Sequence, residues 1–268
     1  MTVVFFQITL GLYFLGTVSF LICLVRRSDL LAKMAVGMTG LGFLTHTLAL
    51  ALQLWSGDEL KWVTFPKALS FFSWSLVLVF LGAAIRPHLQ VLGSFILPLA
   101  FLSLVSTAIL PAEAPVLHPM FQAVWVHVTL SMLGTVGFAV AFVAGLMYLM
   151  QERLLKSKQF NVLFFKLPPL DFLDMLNQRS ILLGFPFLTL GILTGAISAQ
   201  ITVGAYLSWN PEQTWAMVTW VFYLIVLLGR VTGGWRAKKA AYLTVVGFAG
   251  VLLTFLGVIL KSSGTPVS

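Results

Sequence analysis

The chain of 268 residues is 59% hydrophobic and only 9% charged, with a mean hydropathy of +1.01, whereas a soluble domain carries about 25% charged residues. That balance excludes a soluble globular fold and predicts an all-α, polytopic membrane helix bundle. The net charge of +8 does not point to nucleic acid, because Lys and Arg collect in short connections between apolar segments, where they orient a membrane protein.

In chain order, segments long enough to span about 30 Å of hydrocarbon lie near 3–25, 35–55, 68–85, 90–110, 121–149, 181–203, 213–230 and 240–260. The first has no cationic stretch before it and no small-residue cleavage site after it, which reads as a retained helix. It carries Cys23, the single cysteine, so neither an intrachain disulfide nor a CxxC pair is open to this chain. Segments three and four are separated only by "RPHLQ", where Arg86-Pro87 breaks a run too long for one crossing. The longest polar interruption, residues 151–180, carries "FNVLFF", suited to lying at the headgroup level. After Pro168-Pro169, Leu170, Leu173 and Leu176 fall at helical spacing, predicting a short amphipathic helix before segment six. No internal sequence repeat is visible, and residues 1–268 read as one integral membrane domain.

Thirteen of the 16 basic residues fall in alternate connections: Arg26, Arg27, Lys33, Arg86, Arg153, Lys156, Lys158, Lys166, Arg179, Arg230, Arg236, Lys238 and Lys239. Lys61, Lys67 and Lys261 belong to the other side. The positive-inside rule then places both termini outside, residues 151–180 as a cytoplasmic connector, and the loop 204–212 at the outer face.

No Asp, Glu, Lys or Arg falls clearly inside a span, which argues against an acidic proton relay. HExxH, a phosphate loop with its lysine, and GxSxG are all absent from the sequence, so hydrolase and ATPase readings gain no support. Four histidines remain. His46, midway along segment two, needs partners for its ring nitrogens, either a neighbouring helix or a metal or haem iron. His127 lies one or two turns into segment five, two residues after Trp125, with His118 in the outer connection before it. His88, beside Pro87, belongs to the inner surface.

The outer loop reads "SWNPEQTW" from Ser208 to Trp215. Pro211 opens a helix with Glu212 and Gln213 in its first turn, and Trp220 follows. A histidine beside a charge-poor tryptophan surface suits a flat, partly apolar, redox-active cofactor. The same tryptophans equally suit an interfacial aromatic belt.

At "LPPLDFLDMLNQRSILLGFPFLTLGILTGAI", "VGAYLSWNPEQTWAMVTWVFYLIVLLGR" and "GWRAKKAAYLTVVGFAGVLLTFLGV" the chain resembles the cytochrome c assembly protein family, and within it a short eight-helix, HemX-like subfamily. The resemblance implies haem transfer or presentation at the outer face of a bacterial cytoplasmic (inner) membrane for attachment to apocytochrome c, alone or with a membrane subunit of cytochrome c biogenesis. It maps the tryptophan motif onto Trp209 to Trp215, with Trp220 following, and the preceding histidine onto His127. Tyr206, Trp125 and His118 would add to the haem surface, with His127 and His46 as candidate iron ligands. The chain departs from the family pattern in having Asn210-Pro211-Glu212-Gln213 where Asp-Pro-Lys-Glu is usual. An alternative consistent with that departure is a membrane regulator or scaffold that contacts a cytoplasmic haem-pathway enzyme through residues 151–180. A small-solute transporter would need a polar path, for which Thr45, His46, Ser73, Ser75, Ser103 and Ser106 are candidates.

Overall fold

The computed structural model describes residues 2–26, 28–55, 64–110, 121–159, 161–207, 209, 211–235 and 237–263. Among these it contains α1 (Thr2–Val25), α2 (Asp29–Trp55), α3 (Phe65–Ala84), α4 (Gly93–Ile109), α5 (Phe121–Lys156), α6 (Val162–Lys166), α7 (Leu170–Val203), α8 (Pro211–Val231) and α9 (Ala237–Ser263). Of these, α1, α2, α3, α5, α7, α8 and α9, and α4 taken together with the turn before it (Pro87–Ile109), are long and apolar enough to cross a bilayer. A helix suits that role because it pairs its own backbone groups where no water can.

The element ends follow local chemistry. Pro66 sits in the first turn of α3, and Pro87 opens a 3-10 turn, Pro87–Leu92, that separates α3 from α4 at the expected break. Asn161 caps α6 by accepting a hydrogen bond from the Phe164 amide at 3.0 Å. Gly204 ends α7 with φ +78°, a left-handed conformation natural to glycine. The segment after Pro168-Pro169 differs from expectation. Instead of a separate amphipathic helix, Leu170 begins one 34-residue helix that runs without interruption into the sixth span. Nothing between Asp171 and Ser180 breaks a helix, and Leu173 and Asn177, both buried, pack that stretch into the bundle.

The packing falls into two halves of the same plan. In the first, α1 contacts α2 and α4, and α3 contacts α2 and α4; in the second, α5 contacts α7 and α9, and α8 contacts α7 and α9. The halves meet mainly where α3 lies against α5. Tyr13, Phe20, Phe80 and Leu97 fill the first half, while Phe138 and Tyr223 stack face to face in the second, with centroids 3.7 Å apart. Exposed Leu, Ile and Val side chains cover the outside of α1, α2, α7 and α8, as a lipid-facing surface requires.

The closest approach is between α5 and α7. A Cβ added to Gly137 would stand 2.7 Å from Gly184 Cα and 2.9 Å from the Ser180 carbonyl, and one on Gly134 would stand 2.7 Å from the Leu188 amide nitrogen. Small residues here let two backbones touch, which is how helices associate where hydrophobic burial offers no drive.

Candidate functional site

The seam between α5 and α7 continues toward the end of the bundle that the charge distribution assigns to the outside. There His127 lies six residues into α5, about 9 Å along the helix axis at 1.5 Å per residue. Its Nδ1 is 2.7 Å from the Gly191 carbonyl, and Ser131 Oγ is 3.5 Å from the same nitrogen. A carbonyl only accepts, so Nδ1 carries the proton and Nε2 the lone pair. Gly195 makes room for the ring, since a Cβ there would approach His127 Cε1 and Nδ1 to 2.7 Å. An imidazole that donates one N–H to a backbone carbonyl and keeps the other nitrogen basic has the arrangement of an iron-ligating histidine.

His46 is placed differently. It is 1% exposed, with Nδ1 3.3 Å from the Tyr13 hydroxyl and Nε2 2.9 Å from Ser70 Oγ. Both ring nitrogens are engaged within the first half, the ordinary way to seat a histidine among helices. Since His46 faces α1 and α3 while His127 faces α7, the fold does not bring the two together. Among the described residues no second imidazole reaches His127, and no group of three or more His, Cys, Asp or Glu could hold a metal ion. His118 lies outside the described residues. Replacing His46 with Leu strands the Tyr13 and Ser70 hydroxyls, and the expected cost is about 1–3 kcal/mol. That loss should appear as a lower thermal midpoint; an unchanged midpoint would overturn this structural assignment.

The aromatic residues divide into three groups. Trp209, Trp215 and Tyr206 are all at least half exposed where α7 ends and α8 begins. Trp209 has φ +50°, and Gln213 Nε2 donates to the Tyr206 carbonyl at 3.4 Å, tying the loop to the first turns of α8. Trp220, by contrast, clamps helices. Its indole N–H donates to Thr189 Oγ1 at 2.9 Å, and its ring stacks on Phe185 at 5.5 Å. Phe185 and Thr189 occupy a different face of α7 from Gly191 and Gly195, so Trp220 and His127 flank α7 on separate sides. Trp125 lies apart from both, lining an apolar cavity of about 370 Å³ with Trp74, Phe71 and Thr129, where the two halves of the bundle meet at the outer end.

At the opposite end the structure adds polar residues that sequence reasoning missed. Arg230, its side chain 5% exposed, pairs with Asp174 at 2.8 Å and donates to Asn177 Oδ1 at 2.7 Å, while Asn177 Nδ2 donates to the Ala141 carbonyl at 2.7 Å. This network joins α5, α7 and α8. The sequence carries only a weak signal for it, the i, i+3 spacing of Asp174 and Asn177 around Met175 and Leu176 within the longest polar interruption. Glu152 bridges Lys156 and Lys238 nearby, at 2.7 and 3.2 Å. Of the hydroxyls considered for a transport path, Ser73 and Ser103 close contacts between α3 and α4 and Thr45 reaches Thr9 of α1 at 2.8 Å, whereas Ser106 bonds within its own helix and Ser75 Oγ is buried without a hydrogen-bond partner among the described residues. Ser73 donates to the Ala100 carbonyl at 2.8 Å, Ser103 to the Leu69 carbonyl at 3.0 Å, and Thr45 to the Gly42 carbonyl at 2.9 Å.

A family model described as cytochrome C assembly protein matches residues 62–265. A Guillardia theta protein named cytochrome c biogenesis protein CcsA is 30% identical over 243 residues, covering 83% of this chain and 81% of that protein. A protein of the same name from Chlorella vulgaris is 33% identical over 271 residues, covering 85% and 84%. One from Synechococcus elongatus is 45% identical over 94 residues, covering 35% and 29%.

Proposed function

The chain belongs to the cytochrome c assembly protein family, and we propose that it acts in cytochrome c biogenesis by holding haem at the outer face of a bacterial cytoplasmic membrane. The observation that carries this reading is the seating of His127, whose Nδ1 proton is engaged by the Gly191 carbonyl at 2.7 Å so that Nε2 remains a basic donor toward iron. Haem, when bound, would supply an iron that His127 could hold and a flat ring suited to aromatic surfaces such as those of Trp209, Trp215 and Tyr206.

The remaining residues take supporting parts. Trp209, Trp215 and Tyr206 present exposed aromatic faces at the same end of the bundle. Gln213 steadies the loop that carries two of them. Trp220 fixes α8 against α7 through Thr189 and Phe185, so in this reading it positions the loop without touching haem. Asn210-Pro211-Glu212-Gln213 leaves the motif short of the usual lysine, which favours a partner that supplies charge of its own, an apocytochrome c or another membrane subunit of the pathway.

The test is the visible spectrum and haem stoichiometry of detergent-purified protein from haem-replete cells, beside His127→Ala and His88→Ala. We expect a Soret band in the wild type and in His88→Ala, and at least about a ten-fold loss of retained haem in His127→Ala, on the scale of ligand-shell losses in metal sites. Equal haem in all three would remove His127 from the site. A colourless wild type would overturn haem holding in favour of a membrane regulator of a haem-pathway enzyme.

A further inference from the structure

A cavity of about 930 Å³ lies at the basic end, far from the tryptophan loop. Its wall is built from the end of α1, the start of α2, the 3-10 turn and α6. Lys33, His88 and Lys166 line it against one acid, Asp29, while Leu24 and Phe165 supply apolar surface. Lys166 is fixed in the wall: its ammonium donates to the Cys23 carbonyl and, at 2.8 Å, to the Arg26 carbonyl. This contact also satisfies carbonyls at the C-terminal end of α1, where a cation is favoured. It pins α6, a five-residue helix with exposed Phe165, to the base of α1.

We propose that this cavity holds the headgroup of one anionic phospholipid from the leaflet at the basic end of the bundle. Three features converge on that ligand. A basic pocket between membrane helices at this level is the arrangement that recognises anionic headgroups. The apolar surface of Leu24 and Phe165 stands beside the cations, as a phosphate joined to acyl chains requires. The volume is that of a pocket for a drug-sized molecule, so a free phosphate ion, which shares the headgroup chemistry, would leave most of it to water. The proposal is independent of haem binding, and its failure would leave that reading untouched.

The experiment uses the full chain, delipidated in detergent, with added phosphatidylglycerol, phosphatidylcholine or inorganic phosphate. The readouts are the thermal midpoint and the lipid retained in native mass spectrometry. Phosphatidylglycerol should raise the midpoint and be retained as one molecule, with phosphatidylcholine and phosphate giving neither effect. Lys33→Gln, an exposed change that leaves the Lys166 contacts intact, should weaken retention about five-fold, the effect of one lysine charge near a membrane surface, and Lys33→Gln/His88→Gln should weaken it at least as much. Arg153→Gln removes an equal charge from the same end but outside the cavity and should change nothing. Equal effects of the two lipids, a full effect of inorganic phosphate alone, or equal losses in Arg153→Gln and Lys33→Gln would each overturn the proposal.

Discussion

Asp174→Ala is expected to destabilise the protein by about 3 kcal/mol, because it leaves the Arg230 guanidinium buried without its counter-charge. The pair is unequal, with Arg230 at 5% side-chain exposure and Asp174 at 31%, so the penalty falls on the arginine. At about 2–4 °C per kcal/mol for a chain of this size, the thermal midpoint in detergent should drop by roughly 6–12 °C. The double variant Asp174→Ala/Arg230→Met removes the stranded charge together with its partner, and it should recover a large part of the loss. A double variant no more stable than the single one would show that the cost comes from lost packing and not from an orphaned charge.

The second large effect is expected at the α5–α7 seam. Gly137→Val introduces a side chain whose first carbon already meets Gly184 Cα at 2.7 Å and the Ser180 carbonyl at 2.9 Å. Neither is a flexible side chain that can swing aside, so one helix must move. Overpacking of this kind costs about 1–3 kcal/mol, occasionally more, and here the displaced helix also carries the Gly191 carbonyl that seats His127. The variant should therefore lose both thermal stability and retained haem. Gly40→Ala is the matched control, since a Cβ at Gly40 meets nothing within 4 Å; it should be neutral or gain about 0.5–1 kcal/mol in its helix. If Gly137→Val melted with Gly40→Ala, the close approach of the two helices would be refuted.

These two sites also mark where reading the sequence stopped. The eight spans were legible because hydropathy is a local sum over about 20 residues, and Pro87 announced the break between α3 and α4 by its own covalent geometry. His127, Trp209 and Trp215 stand out in the sequence as a pattern of residue types, but the Gly191 carbonyl that engages His127 does not. Asp174 falls in the stretch expected to form a short amphipathic helix of the cytoplasmic connector, since a window average cannot register that α7 begins at Leu170 and turns Asp174 and Asn177 toward α8. Trp220 was grouped with the loop tryptophans because it follows them in the chain, but its helix face, which decides its partners Thr189 and Phe185, depends on how α8 is rotated against α7. The two-half plan was invisible for a related reason. Contacts such as α1 with α4 and α5 with α9 repeat as geometry while the residues that make them differ.

The unequal lengths of the helices bear on the lipid around the protein. At 1.5 Å per residue, α5 and α7, with 36 and 34 residues, reach about 54 and 51 Å, while the 20 residues of α3 reach about 30 Å. The hydrocarbon core is about 30 Å thick. The first half of the bundle thus matches an undisturbed bilayer on its α3 side, whereas the α5–α7 pair stands taller at the basic end. A membrane wrapped around such a wedge has to thicken on one flank or let the pair lean, at a cost of fractions of a kcal/mol per Å of mismatch. Bilayer thickness thereby becomes a mechanical variable for this protein, acting on the helix pair that seats His127.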